Sequence, residues 1–457
     1  MIIEKIIKNM MLKKLLFAVV LFSYTIQSQT YVKGTLDPAQ NYSWVVLYQL
    51  KGAKQLYIKN ETISNGKFSI EFPQNAPKGM YRLLYSQQNN GFIDFIYNNK
   101  SVELKFNPKN PLNTLTFLTS EENKIYQNYQ IESTKNKHKL DSIQLSFFNT
   151  KDEVQRENLK NSYAKTYKIY NEKQKYYEIL TKGKLSNHFI KSSFKYYVPH
   201  IIQTPQEYLN SEKQHYFDYV DFKDKVLLNS VFLSEKVTDY VFYLNGSDDM
   251  EVQNKLYKNA INEVFKKVGD NLLLKKEFLI TLMYNFSQLE NTVLIDYLIN
   301  NFYNKLPVEL KDETAINQIQ EKVKLAIGKI APDFSFEKNG KKITLSELNK
   351  AEKYILVFWS TGCSHCLNEI PKLYDYTKNK TTVHVVAFAM ENDDTDFNKY
   401  NSMFTAWTNI LGLKKWQNPI AREYQITSTP TYFILDKDKK IIAKPEYFED
   451  VKAFFEK

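Results

Sequence analysis

The chain has 457 residues and a formal net charge of +11, with basic residues interleaved among acidic ones throughout. This length predicts two or three domains. Because no basic block or nucleic-acid motif accompanies the positive charge, the composition does not indicate a nucleic-acid-binding protein.

The first 28 residues have the pattern of a signal peptide. Lys13 and Lys14 precede an apolar run, Leu15–Phe22, which is much shorter than the roughly 20 residues that cross a bilayer. Met1 and Met11 both remain candidate starts, cleavage is expected near Ser28, and an uncleaved signal anchor is the alternative. Because no later stretch reaches spanning length, we expect a soluble, extracytoplasmic mature chain, in the periplasm or elsewhere in the cell envelope.

Residues 29–118 are predicted to form a β-rich domain, because short alternating runs are separated by turn signals such as Ser64-Asn65-Gly66. A small antiparallel β-sandwich is the expected arrangement. The predicted strands are Trp44–Tyr48, Gln55–Ile58, Lys67–Phe72, Tyr81–Tyr85, Phe92–Ile96 and Val102–Phe106.

Residues 119–326 have a helical pattern and are predicted to form an all-helical middle region. Gly246 and Gly269 fall at expected helix ends. At helical spacing, the abundant tyrosines and phenylalanines favour a core over a carbohydrate- or peptide-binding surface. The clearest predicted helices are Val154–Leu180, Val252–Val268, Leu272–Phe286 and Thr292–Phe302.

Residues 327–457 alternate between strand and helix patterns, which predicts an α/β domain with a mixed sheet covered by helices. The chain as a whole is therefore expected to be a multidomain α+β protein. The predicted elements are a first strand with a turn capped by Ser346, strand Tyr354–Trp359, helix Cys366–Lys378, strand Thr382–Phe388, helix Asp394–Phe404, strands Thr431–Leu435 and Lys440–Ala443, and helix Phe448–Glu456.

The two cysteines of the chain, Cys363 and Cys366, lie three residues apart and follow a predicted strand. A C-x-x-C at the start of a helix places the first sulfur near unpaired backbone N–H groups, which favour the thiolate. The pattern predicts a redox dithiol in which Cys363 attacks and Cys366 resolves the mixed disulfide. A purely structural disulfide is the alternative, although so small a loop gains little stability.

Metal and haem sites fit this pattern poorly. The six histidines form no H-x₃₋₅-H pair that could complete a zinc site. Haem attachment requires a histidine directly after the second cysteine, where this chain has Leu367. The sequence therefore predicts no cofactor and no metal.

Five segments in roughly the last 130 residues occur in the order Ala331-Pro-Asp-Phe334, Ile343-Thr-Leu-Ser-Glu-Leu348, Val357-Phe-Trp359, Cys366-Leu-Asn-Glu369-Ile-Pro371 and Ser428-Thr429-Pro430-Thr431-Tyr-Phe-Ile-Leu-Asp436. Together they resemble the TlpA/ResA group of extracytoplasmic thiol-disulfide oxidoreductases, which have a thioredoxin fold. The β-rich segment resembles, through Ile63-Ser-Asn-Gly-Lys-Phe68 and its strand spacing, an N-terminal domain of unknown function in some bacterial envelope proteins.

The resemblance implies roles for several residues. Thr429 and Pro430 match a cis-proline loop that binds an extended substrate segment, and Trp359 is assigned to the same substrate-binding group. Glu369 matches an acidic residue that handles the proton of Cys366, although a first-turn glutamate also suits the helix dipole. Many thioredoxins have an acid six residues before the first cysteine, but this chain has Val357 there.

His365 leaves the direction of the reaction open. A histidine between the cysteines resembles DsbA-type oxidants, in which it stabilises the thiolate, whereas the family match favours a reductant. The implied partners are protein dithiols or disulfides and a membrane electron donor of the DsbD type. Two alternatives remain: a peroxiredoxin-like peroxidase, suggested by Ser360 three residues before Cys363, and a non-catalytic envelope-binding protein that uses the C-terminal domain as a scaffold.

Overall fold

The computed structural model describes residues 29–39, 42–87, 91–338 and 340–456. The predicted signal peptide, residues 1–28, lies outside the described residues. The chain divides into two compact units, which meet in sequence at Leu244 and Asn245. This point falls inside the predicted helical middle region, and the boundaries 29–118, 119–326 and 327–457 remain predictions. Among the described helices, none combines the length and the apolar character that crossing a membrane requires.

The first unit begins with strands in two four-stranded sheets, with the orders β4-β1-β7-β8 and β3-β2-β5-β6. Each predicted strand has a counterpart here, whereas the sequence pattern does not predict β1 or β8. The strands are β1 (Tyr31–Leu36), β2 (Trp44–Lys51), β3 (Lys54–Thr62), β4 (Lys67–Glu71), β5 (Gly79–Leu84), β6 (Phe92–Tyr97), β7 (Val102–Phe106) and β8 (Thr116–Phe117).

The two sheets contribute to one hydrophobic core, which confirms the sandwich-like prediction in part. Val32 and Phe68 from one sheet lie in the same buried cluster as Val45 and Tyr81 from the other. One feature differs from the prediction, since β1 pairs with β7 in parallel. The two strands can run in parallel because the intervening chain, and not a tight hairpin, connects them. The sheet is therefore mixed and not purely antiparallel.

The rest of the first unit is helical, and its two longest helices, α2 (Glu121–Asn149) and α3 (Glu153–Leu180), pack against each other. Side chains cap both, because Ser120 accepts a hydrogen bond from the Asn123 amide and Asp152 accepts from Val154. The helices are α1 (Pro111–Thr114), α2 (Glu121–Asn149), α3 (Glu153–Leu180), α4 (Ser186–Ser192), α5 (Pro205–His215), α6 (Lys225–Leu228) and α7 (Phe232–Phe242).

Tyrosines at helical spacing fill the interior of this helical part. Tyr163, Tyr170 and Tyr177 lie at intervals of two turns on α3, and all three are buried. These side chains agree with the interpretation of the aromatic residues as core.

The second unit begins with four capped helices, α8 (Met250–Val268), α9 (Leu272–Gln288), α10 (Thr292–Asn301) and α11 (Glu313–Val323), and two short 3₁₀ turns, Tyr303–Lys305 and Val308–Leu310. Gly269 ends α8 with a φ of 61°, a left-handed conformation that suits glycine. From residue 121 to 323 the structure contains helices and turns, in agreement with the predicted secondary structure of the middle region.

The C-terminal part contains a hairpin of β9 (Ser335–Lys338) and β10 (Lys341–Thr344) and a five-stranded sheet of order β13-β12-β11-β14-β15. The sheet is mixed as predicted. Strands β11, β12 and β13 pair in parallel, whereas β14 pairs antiparallel with both of its neighbours, β11 and β15. Its elements are β11 (Lys353–Trp359), α12 (Ser364–Thr377), β12 (Val383–Glu391), α13 (Thr395–Met403), β13 (Thr408–Leu413), α14 (Pro419–Glu423), β14 (Thr431–Asp436), β15 (Ile441–Ala443) and α15 (Phe448–Glu456).

The central strand β11 is buried on both faces of this sheet. Tyr354 and Leu356 belong to one hydrophobic cluster, whereas their neighbours Ile355 and Val357 belong to a second. Because successive side chains of a strand point to opposite faces, the sheet separates two cores. This rigid layer fixes the end of β11, from which the dithiol loop emerges.

Candidate redox-active site

The strand directions bring four loops to one edge of the sheet. The parallel strands β11, β12 and β13 end at this edge, and the antiparallel strand β14 begins there. The edge therefore carries the dithiol after β11, Glu391 at the end of β12, Lys415 after β13, and Pro430 before β14.

Cys363 is the N-cap residue of α12, which begins at Ser364 and not at Cys366 as the sequence pattern predicts. Its sulfur accepts a hydrogen bond from the Cys366 amide at 3.3 Å, and its thiol lies 3.2 Å from the carbonyl oxygen of Thr429. Partial burial raises the pKa of Cys363, but hydrogen bonds with the side chains of Cys366 and Thr429, and with the backbone amides of Cys366 and His365, lower the pKa by more. The pKa of this thiol is consequently below its ordinary value, and the thiolate is favoured.

Cys366 lies one turn into the helix and is fully buried. It packs in an apolar cluster with Trp359, Ile370 and Tyr432. Burial, followed by a hydrogen bond with Cys363, raises the pKa of Cys366 to about 12. The pKa values of the two thiols are thus shifted in opposite directions.

Glu369 and His365 occupy different surroundings on the same helix. Glu369 is half-buried, and its Oε2 atom accepts hydrogen bonds from the Tyr432 hydroxyl at 2.8 Å and from the Phe448 amide at 3.2 Å. His365 is exposed in the first turn of α12, two residues after the first cysteine. The structure therefore turns Glu369 towards the interior of the domain and leaves His365 open to solvent.

Thr429 and Pro430 border Cys363, and the peptide bond between them is cis. Trp359 is placed differently, because its side chain is only 2% exposed and its ring lies edge-on to Tyr400 at 5.5 Å. In this structure Trp359 packs beneath the dithiol loop, while Thr429 lies at the surface beside the sulfur.

Sequence reasoning missed two residues of this edge. Glu391 is a buried carboxylate that accepts a hydrogen bond from the Thr361 amide in the loop before Cys363. Tyr432 is buried, and its hydroxyl donates a hydrogen bond to Glu369. The predicted strand Thr382–Phe388 stops three residues before Glu391, so the pattern did not bring this acid to the edge. The position that carries an acid in many thioredoxins, Val357, is fully buried in the core.

Comparisons with known proteins locate the domain among characterised families. Residues 327–444 match the AhpC/TSA family. The chain is 34% identical over 129 residues to the thiol-disulfide oxidoreductase ResA of Bacillus thuringiensis strain Al Hakam, covering 27% of this chain and 70% of that protein. It is 29% identical over 147 residues to ResA of Geobacillus thermodenitrificans, covering 31% and 82%. A solved thiol:disulfide interchange protein from a Bacteroides species is 25% identical, covering 29% of this chain and 88% of that chain, with a TM-score of 0.25.

The mixed sheet, with a dithiol at the start of its first covering helix, defines a thioredoxin-fold thiol-disulfide oxidoreductase. The similarity to ResA extends over 70% of that relative at 34% identity. The chain belongs to the ResA-like family of thiol-disulfide oxidoreductases.

Proposed function

We propose that this protein is exported and exchanges disulfides with protein substrates in the cell envelope through Cys363 and Cys366. The observation that carries the proposal is the contrast between the two sulfurs. Cys363 caps the helix and has a lowered pKa, whereas Cys366 is fully buried and its pKa is raised to about 12. Such a pair separates the attack on a substrate from the release of the product.

In the reductant direction, the Cys363 thiolate attacks one sulfur of a substrate disulfide. A mixed disulfide forms, and the second substrate sulfur leaves as a thiolate that takes a proton from solvent. Cys366 then loses its proton and attacks the Cys363 sulfur, which releases the first substrate sulfur as a thiolate that also takes up a proton. Two electrons pass to the substrate, which becomes a dithiol, and the enzyme becomes a Cys363–Cys366 disulfide.

The second step needs a proton acceptor, because the pKa of Cys366 is about 12. We assign this task to Glu369, which reaches the buried side of the dithiol through the hydrogen bond from Tyr432. Tyr432 supports the assignment, since it lies in the same buried cluster as Cys366. Glu369 would act here as a general base.

Thr429 and Pro430 are proposed to hold the substrate segment. The Thr429 carbonyl oxygen lies 3.2 Å from the Cys363 sulfur, so a substrate strand laid along this backbone would bring its cysteine to the attacking atom. Any specificity would then depend on the side chains around this contact.

The reductant direction is favoured because the family match is to ResA-like proteins. The enzyme disulfide must then be reduced again by an external dithiol, and we propose a membrane-embedded donor of the DsbD type. His365 supports the opposite direction, since a histidine between the two cysteines resembles DsbA-type oxidants, in which it stabilises the reduced form. Export is proposed from Lys13-Lys14 and Leu15–Phe22, which have the order of a signal peptide.

A trapping experiment tests the proposal. In C366S the mixed disulfide cannot be resolved, so the variant should retain envelope proteins in complexes that dithiothreitol releases. The C363S variant is the control and should capture none of them. If the variant that lacks both cysteines recovers the same proteins, non-catalytic binding by a scaffold explains the complexes instead.

A peroxiredoxin-like peroxidase is the second candidate, favoured by the AhpC/TSA match and by Ser360 three residues before Cys363. The Ser360 hydroxyl, however, accepts from the Gly362 amide and donates to Glu391, which supports a structural use of this side chain. Stopped-flow oxidation with hydrogen peroxide separates the two candidates. Slow and non-saturating oxidation of Cys363 would remove the peroxidase.

A further inference from the structure

The loop that carries Cys363 is attached to a buried carboxylate. Glu391 ends β12 and is only 6% exposed. Its Oε1 atom accepts a hydrogen bond of 2.5 Å from the Thr361 amide, and its Oε2 atom accepts one of 3.4 Å from the Ser360 hydroxyl. A carboxylate that accepts two hydrogen bonds in a buried position is held in one orientation, and it holds its donors in turn.

These two bonds complete the hydrogen bonding of the loop. The Gly362 amide donates to the Ser360 hydroxyl at 3.3 Å, and the Cys363 amide donates to the Ser360 carbonyl at 3.2 Å. Each backbone N–H from Thr361 to Cys363 therefore has an acceptor, and all three depend on Ser360 or Glu391. The position at which Cys363 enters the helix is set by this network.

We propose that Glu391 is a positioning residue for Cys363: by holding Thr361 and Ser360 it fixes the loop that places the attacking sulfur at the N-cap of α12. Its carboxylate has a second effect, because a buried negative charge near the loop opposes the formation of a thiolate. The inference rests on the proposed function, in which Cys363 is the nucleophile. Glu391 does not touch the reacting atoms, and it acts through the loop and through its charge.

A positive charge also lies beside this loop. The Nζ atom of Lys415 lies about 4 Å from the point that a Cβ atom at Gly362 would occupy. The pKa of Asp393 is lowered mainly by hydrogen bonds with Thr395, and Lys415 adds a smaller contribution in the same direction. The titratable groups on the elements that form this end of the sheet are His365, Cys366 and Glu369 on α12, Glu391 on β12, Asp393 after it, Lys415 after β13 and Tyr432 on β14.

Two variants separate the charge of Glu391 from its hydrogen bonds. E391Q retains an acceptor for the Thr361 amide but removes the charge, so the pKa of Cys363 should fall by roughly 0.5 to 1 unit. S360A retains the charge of Glu391 but removes the hydroxyl that donates to Glu391 and accepts from the Gly362 amide. The N-cap of α12 should then be held less firmly, which should raise the pKa of Cys363. E352Q is the matched control, because Glu352 is an exposed acid at the opposite end of β11.

The experiment measures the rate of iodoacetamide alkylation against pH on the reduced full chain, with the modified cysteine identified by mass spectrometry. Equilibrium with glutathione gives the reduction potential of the same variants. The inference predicts a less negative potential for E391Q, a more negative one for S360A, and no change for E352Q.

Three results would contradict the inference. Unchanged titration of Cys363 in both E391Q and S360A, with reduced thermal stability, would leave Glu391 a purely structural residue. Shifts of the same size in E352Q would show a long-range charge effect. If Cys363 of the unmodified protein does not titrate below Cys366, the nucleophile assignment itself fails, and the inference fails with it. Should E391Q not fold, the S360A titration still decides.

Discussion

The Tyr432 hydroxyl donates a hydrogen bond of 2.8 Å to Oε2 of Glu369, and this bond connects the half-buried carboxylate to the core behind the dithiol. Tyr432 is 1% exposed and lies in the same apolar cluster as Cys366. Burial, followed by the hydrogen bond to Glu369, raises the pKa of Tyr432 above its ordinary value. The hydroxyl therefore remains a proton donor at physiological pH, and it orients the carboxylate that we propose as the base.

The first prediction is that Y432F slows the resolving step. Phenylalanine fills the same apolar space but removes the hydrogen bond, and a bond to a charged group contributes about 1.5 to 3 kcal/mol. We expect the mixed disulfide to persist roughly tenfold longer. Stopped-flow measurement of the two phases checks this, because the first attack by Cys363 should keep its rate.

A double-mutant cycle is the control for this prediction. If Tyr432 acts through Glu369, then E369Q should slow the same phase, and Y432F combined with E369Q should add little further. Additive effects would show that Tyr432 acts on Cys366 independently of Glu369.

The second prediction concerns pH. In the reduced protein, Cys363 should react with iodoacetamide at a pH below the ordinary thiol value of 9, because its pKa is lowered. Cys366 should stay unmodified until the pH approaches about 12 or the domain unfolds. Alkylation followed by peptide mass spectrometry measures both, and equal modification at neutral pH would contradict the assignment.

The same shift of Cys366 predicts an alkaline loss of stability. The pKa of Cys366 is about 12 in the folded state against 9 ordinarily, so its contribution is fully present below pH 9 and is lost as the pH rises towards 12. Thermal unfolding of the reduced wild type across this range should fall more steeply than that of C366A. Parallel curves would show that burial of Cys366 does not affect its ionisation.

Much of the C-terminal architecture could be predicted from the sequence, because strong local patterns specify it. Tyr354–Trp359 is an apolar run long enough for a buried strand, and a dithiol followed by Leu367 and Glu369 marks the next helix. The structure confirms the strand and the mixed sheet. Local pattern was sufficient here because packing and propensity favour the same element.

Strand β13 could not be predicted in the same way. Thr408–Leu413 contains Asn409 and Gly412, which ordinarily weaken a strand. The structure explains the glycine, since a Cβ atom at Gly412 would approach the Phe388 ring to 2.1 Å. A contact with the neighbouring strand, invisible in local sequence, therefore requires the residue that obscures the pattern.

Glu391 was missed for a related reason. The predicted strand ends at Phe388, yet pairing with β13 extends β12 through Glu391. The partner strand supplies the hydrogen bonds that the local sequence does not indicate. The carboxylate at the dithiol edge thus follows from tertiary pairing and could not be assigned from residue spacing.

The third prediction tests the substrate-binding role first expected for Trp359. Its side chain is buried, its ring contacts Tyr400 and Phe404, and its Nε1 atom has no described hydrogen-bond partner. W359F should therefore lose about 1 to 2 kcal/mol of unfolding free energy through reduced packing. Chemical denaturation measures this loss, and KM for a protein substrate should stay unchanged. A raised KM with unchanged stability would instead support the substrate-binding role of Trp359.

The fourth prediction addresses the direction of the reaction through His365. His365 is exposed two residues after Cys363, and a histidine between the two cysteines resembles the sites of DsbA-type oxidants, in which it stabilises the thiolate. H365A should therefore raise the pKa of Cys363 and make the reduction potential more negative. Equilibration of the wild type with glutathione or dithiothreitol sets the reference: a value near −270 mV indicates a reductant that an electron donor must supply, and one near −120 mV indicates a disulfide donor. An identical potential in H365A and the wild type would show that the helix amides alone stabilise the thiolate, and the reductant proposal would then stand without the opposing contribution of His365.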